Sequence, residues 1–64
     1  MATNFTMTVR SEYEYLNAGE EIARILRAVA DRLEAGLEGN MHLQDDYGNG
    51  VGRAFFEVWE GEDA

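Results

Sequence analysis

The segment from Ala18 to about Ala35 constrains the fold most, because its apolar residues fall at one helical spacing. Ile22, Ile25, Leu26, Val29 and Leu33 lie at offsets of 0, 3, 4, 7 and 11, which at 3.6 residues per turn forms a single stripe. Alanines at 23, 28 and 30 add helix propensity. Asn17 with Glu20 three residues on resembles a capping box and predicts the start. Gly36 is placed to close the helix as the left-handed residue after its cap, with Leu37 supplying the accompanying apolar contact.

Such a helix must bury its stripe against something, and the flanking segments supply strands. Asn4 to Arg10 alternates strictly, with Phe5, Met7 and Val9 on one face, as a half-buried strand does. Asn40 to Gln44 alternates again and sends Met41 and Leu43 inward. Val51 to Glu60 sets Ala54, Phe56 and Val58 against Val51, Arg53, Phe55, Glu57 and Trp59. Apolar residues on both faces predict a central strand. Between the last two strands, Asp45 to Gly50 is dense in turn formers, and Asn49-Gly50 suits positions that need positive φ. The order strand, helix, strand, strand predicts an α+β fold, β-α-β-β, with one helix on a three-stranded antiparallel sheet of order 1-3-2. Phe5 and Phe56 are expected in its core.

A chain of 64 residues fits one domain, taken as 1-64, with Gly61 to Ala64 expected as a frayed acidic tail. There is no cysteine, so no disulfide can staple the fold, and one histidine without thiolates leaves no usual zinc ligand set. The calcium-loop pattern matches at Asp45, Asn49 and Gly50 but fails at Tyr47 and Phe56, where ligands are required. No metal and no cofactor are expected. Met1 to Arg10 lacks the features of a targeting segment, and no run is long and apolar enough to span a bilayer. A soluble, cytoplasmic protein is expected.

Catalysis by nucleophile and base is expected to be absent, since the chain offers Ser11, His42 and no thiol. His42 alternates with Met41 and Leu43 and reads as a solvated or interface strand residue rather than a base. A ligand-binding or enzymatic reading would need a closed pocket, for which so small a fold has little interior.

Charge is more informative. Thirteen acidic residues face five arginines and no lysine, a formal charge of −8. That sign disfavours nucleic acid and anionic membranes as partners and favours a basic protein. A charge of this size also serves solubility in ordinary small domains. The helix is nearly balanced at −1, with Glu20 and Arg24, and Arg27 and Asp31, spaced as i,i+4 pairs. The remaining −7 belongs to loops and sheet. Glu12 with Glu14, and Glu60 with Glu62, repeat at period two, and the candidate contact acids are Glu12, Glu14, Asp45, Asp46, Glu57 and Glu60. Phe55 and Trp59 share the sheet face away from the helix. They are candidates for a partner site, a homodimer contact or local packing.

The helix Glu21-Ile22-Ala23-Arg24-Ile25-Leu26-Arg27 through Ala30-Asp31-Arg32-Leu33-Glu34 follows a strand and precedes a hairpin, Asp45-x-x-Gly48-Asn49-x-Val51-Gly52. This arrangement resembles the short acidic proteins of bacteriophages and mobile elements, and within them the anti-CRISPR proteins directed at type I systems, type I-C included, some of which imitate duplex DNA. The likeness covers nearly the whole chain, through structural motifs. It implies a viral inhibitor acting in the host bacterial cell, as monomer or homodimer. Its implied partner is the PAM-recognising subunit of the surveillance complex, which it would deny to target DNA. The family supplies no catalytic motif, and Tyr47 departs from the polar residue expected at the hairpin tip. The competing expectation is a non-catalytic interaction module working through Phe55 and Trp59.

Overall fold

A computed structural model describes residues 1–61 of the chain. Strand β1 (Ala2–Val9) leads through an irregular segment to helix α1 (Ala18–Glu34), followed by β2 (Gly39–Gln44) and β3 (Gly50–Trp59). The three strands form one antiparallel sheet in the order β1-β3-β2, an α+β fold of β-α-β-β sequence. Residues 62–64 of the expected tail, and with them Glu62, lie outside the described residues.

Local chemistry sets the helix ends. The Asn17 side chain, on extended backbone, accepts the Glu20 N–H at 3.0 Å, satisfying one of the orphan donors of the first turn. At the other end the Gly36 N–H reaches Leu33 O at 3.0 Å and the Leu37 N–H reaches Arg32 O at 3.1 Å. With Gly36 at φ +87°, this is a Schellman closure. Leu37, expected to supply the apolar contact of this closure, stays half exposed.

The stripe meets the sheet through Ile25 and Val29, which are buried together with Met41, Leu43, Val51 and Ala54. Met7, Val9, Ile22, Leu33 and Phe56 pack around them. Leu26 falls on the flank of the stripe and is about half exposed. Val51 departs from the expected outward face. Leu43 pairs with Gly52 and Gln44 with Gly50, so Val51 is the extra residue of a bulge, which breaks the alternation and lets it enter the core. Gly52, next to it, lies so close to β1 that a Cβ there would overlap the Thr8 carbonyl oxygen.

Phe5 also departs from expectation. It sits on the helix-covered face opposite Phe56 yet is 42% exposed, because the helix ends before it. Arg32, near the end of α1, donates to His42 O at 3.4 Å, and His42 pairs with Arg53. Beyond Phe56, whose β2 partner is Gly39, the strand β3 has only β1 beside it. A two-stranded ribbon of Ala2–Asn4 with Glu57–Trp59 therefore runs on past the helix, in a molecule 48 × 21 × 17 Å.

Candidate functional site

The best-organised polar structure lies at the opposite, hairpin end. A three-residue turn, Asp46 to Gly48, is closed by Gly48 N–H to Asp45 O and Asp45 N–H to Asn49 O, both 3.0 Å. Its positive φ is at Gly48 (+83°), not at Asn49 or Gly50, because a type I turn followed by one left-handed residue needs that residue third in the loop. Tyr47 fills an ordinary turn position and leaves its ring 75% exposed.

Asp45, expected among the contact acids, is turned inward and only 5% exposed. Its Oδ1 accepts the Tyr47 and Asn49 N–H groups at 2.9 and 2.8 Å. Its Oδ2 accepts the Tyr15 hydroxyl at 2.8 Å and Asn49 Nδ2 at 3.1 Å. An aspartate opening a tight turn is the usual acceptor for the donors that follow it. Burial pushes this carboxyl up, but the hydrogen bonds from Asn49, Tyr15 and Tyr47 outweigh burial and hold it below its ordinary value. The Ser11 hydroxyl lies 2.9 Å from the Tyr15 hydroxyl. Since Tyr15 has given its own proton to Asp45, Ser11 is the donor there.

A second knot involves Glu21, which sequence reasoning missed as a site residue. It is 7% exposed and forked by Arg24, with Nε to Oε1 at 3.0 Å and Nη2 to Oε2 at 3.1 Å. Its Oε2 also accepts the Asp46 N–H at 2.7 Å. The Arg24 guanidinium, followed by the Asp46 N–H, holds the Glu21 carboxyl below its usual range against the effect of burial. Arg24 further meets Asp46 Oδ1 at 2.9 Å and Gln44 O at 3.1 Å, rather than forming the expected pair with Glu20. The available signal was the stripe itself, since Glu21 extends the Ile25 and Val29 face by one turn.

The remaining acids divide between two poles. Glu12 and Glu14 are exposed in the irregular segment after β1, not in an extended row. Glu12 makes only a 4.0 Å contact with Arg10, both side chains almost fully exposed. Asp46 is exposed and paired with Arg24, which it shares with Glu21. At the other pole Glu57 is half-buried on the open sheet face opposite Asn4, and Glu60 is exposed just past β3. Nine steps of β3 separate the poles by about 30 Å, so these acids do not form one patch. Phe55 and Trp59 do share the open face. Phe55 is half-buried between Thr6 and Asn40, and Trp59 is 47% exposed opposite Ala2.

The hairpin pole also displays apolar groups that were not anticipated. Leu16 is fully exposed and Tyr13 about half exposed. Leu16, Glu20, Arg27 and Tyr47 line an open groove between the irregular segment, the start of α1 and the hairpin. The signal was in the sequence as Tyr13, Tyr15 and Leu16, large apolar groups interleaved with Glu12 and Glu14 in a segment that forms neither helix nor strand. Among the described residues no group of three or more His, Asp or Glu side chains is placed to hold a metal ion, and no helix is long and apolar enough to cross a membrane.

No family model, curated protein or solved structure matches this chain.

Proposed function

We propose that the chain is a non-catalytic inhibitor that binds a basic, DNA-binding protein through its hairpin pole and competes there with DNA. The observation supporting this reading is the pairing state of the acids at that pole. Among the described residues Glu14 and Glu20 have no ion pair and Glu12 has only a loose one, beside exposed Tyr13, Leu16 and Tyr47. Exposed carboxylates attract a basic groove over a distance, and central aromatic and aliphatic groups supply the dehydrated contact that holds it. The resemblance to anti-CRISPR proteins makes the PAM-recognising subunit of a type I surveillance complex the first partner to test.

The test is binding to that purified subunit, read by titration, with duplex DNA as competitor. Binding should weaken as salt rises, fall at least tenfold in Glu12→Lys/Glu14→Lys, and be displaced by PAM-containing DNA. Binding that ignores both salt and the reversals, or that DNA cannot displace, removes this reading. The exposure of Trp59 favours a second one, a partner site on the open sheet face. There Trp59→Ala should abolish binding while the reversals at Glu12 and Glu14 do little.

A further inference from the structure

Turn geometry does not account for the glycine that follows Asn49. The left-handed residue of the hairpin is Gly48, whereas Gly50 has no positive φ and a Cβ added there would meet open space. A glycine in that place has a chemical consequence instead. Without a side chain it leaves its own backbone nitrogen unshielded, next to the Asn49 amide, and Gly50 is exposed.

Asn49 is held at three points by a single residue. Its N–H donates to Asp45 Oδ1 at 2.8 Å, its Nδ2 donates to Asp45 Oδ2 at 3.1 Å, and its carbonyl accepts the Asp45 N–H at 3.0 Å. Attack by the Gly50 nitrogen on the Asn49 side chain closes a five-membered ring, which requires the side chain and the backbone of Asn49 to turn together. A residue tied at its N–H, its carbonyl and its amide nitrogen does neither until the clamp opens. Loops open locally far more often than a domain unfolds, so the reaction follows the opening of the hairpin.

We propose that Asn49 is a deamidation site guarded by Asp45, and that its conversion removes the clamp for good. The Gly50 nitrogen attacks Asn49 Cγ, so that an N–Cγ bond forms, the Cγ–Nδ2 bond breaks, and Nδ2 leaves as ammonia with the Gly50 proton. Water then opens the succinimide, giving aspartate or isoaspartate. The product carries a carboxylate where Asn49 had a donor, so Asp45 Oδ2 faces a like charge in place of Nδ2. The Tyr15 hydroxyl donates to that same oxygen at 2.8 Å, and the segment after β1 loosens with the hairpin. The modification acts on this pole whatever the pole binds.

Incubation of the full chain in mildly alkaline buffer, with conversion followed by peptide mass and ammonia release, tests this. Of the asparagines at 4, 17, 40 and 49, only Asn49 precedes glycine, and it should convert first. Chain unfolded in urea should convert at least tenfold faster than folded chain. Tyr15→Phe, which leaves Asn49 and Gly50 in place, should convert at least threefold faster than the wild type. Should that variant not fold, urea below the wild type's unfolding transition replaces it. Gly50→Ala should slow conversion in urea at least tenfold, and Asn49→Asp, which installs the product side chain, should melt below the wild type. Equal rates in folded and unfolded chain overturn the proposal. So does earlier conversion of Asn4, Asn17 or Asn40, or an Asn49→Asp variant that melts with the wild type.

Discussion

The Tyr15 hydroxyl donates to Asp45 Oδ2 at 2.8 Å across 30 residues of sequence, tying the segment after β1 to the hairpin between β2 and β3. Tyr15→Phe keeps the ring and deletes that donor, leaving a buried carboxylate with one unmatched site. The expected outcome is a Tm lower by about 4–8 °C in a domain of this size, measured by circular dichroism. The hairpin itself should survive, since Asn49 and Tyr47 still bind Asp45.

Gly52→Ala should be the most damaging glycine substitution in the sheet. Its Cβ meets the Thr8 carbonyl oxygen, and backbone cannot turn aside as a side-chain tip can, so β1 and β3 must separate. A loss of about 1–3 kcal/mol is expected, read from the urea midpoint. Gly50→Ala is the control: its added Cβ meets open space at a negative φ, and the expected change is within about 1 kcal/mol of zero.

Acid should destabilise the fold through two carboxyls. Asp45 and Glu21 are both held below their ordinary values of 3.8 and 4.5, so the unfolded chain binds their protons more tightly than the folded one. Their stabilisation is therefore fully present above that range and is lost as pH falls through the lowered folded values. Chemical denaturation between pH 7 and pH 2 should show a flat upper region and a falling acid limb. Glu21→Gln should be less stable at neutral pH and show a shallower limb.

Leu16→Ala and Tyr47→Ala separate binding from folding. Both side chains are mostly or wholly exposed, so each variant should keep its stability to within about 0.5 kcal/mol. If the hairpin pole is the contact surface, each should lose more than about 1 kcal/mol of partner affinity. Equal affinity in both variants moves the contact elsewhere.

The elements were legible because each rests on a local rule. Asn17, Gly36 and the apolar stripe bound the helix, and the two-faced apolar content of β3 made it central. The bulge was not legible, because alternation places Val51 outward and only pairing of Leu43 with Gly52 brings it in. Phe5 was misplaced for a related reason: periodicity assigns a residue to a face but not to the covered part of that face. The site was harder still. Composition counts Asp45 with the other acids, although three of its four donors come from Tyr47 and Asn49 of its own hairpin and only the Tyr15 hydroxyl is distant in sequence. Glu12 and Glu14 were found as exposed acids, though not as an extended row, and the apolar groups beside them were passed over.

Three of the thirteen carboxylates are already committed within the fold, since Glu21 and Asp46 share Arg24 and the oxygens of Asp45 accept four donors. With Arg24 counted among them these groups take up two of the eight net negative charges, so the valence offered to a partner is below the formal charge. Duplex DNA, by contrast, carries a condensed layer of cations that binding releases, which makes its affinity fall by roughly one power of salt concentration per phosphate contacted. A sparse carboxylate surface has no such layer to release. In a contest for one basic groove, rising ionic strength should therefore tilt occupancy from the nucleic acid toward the protein.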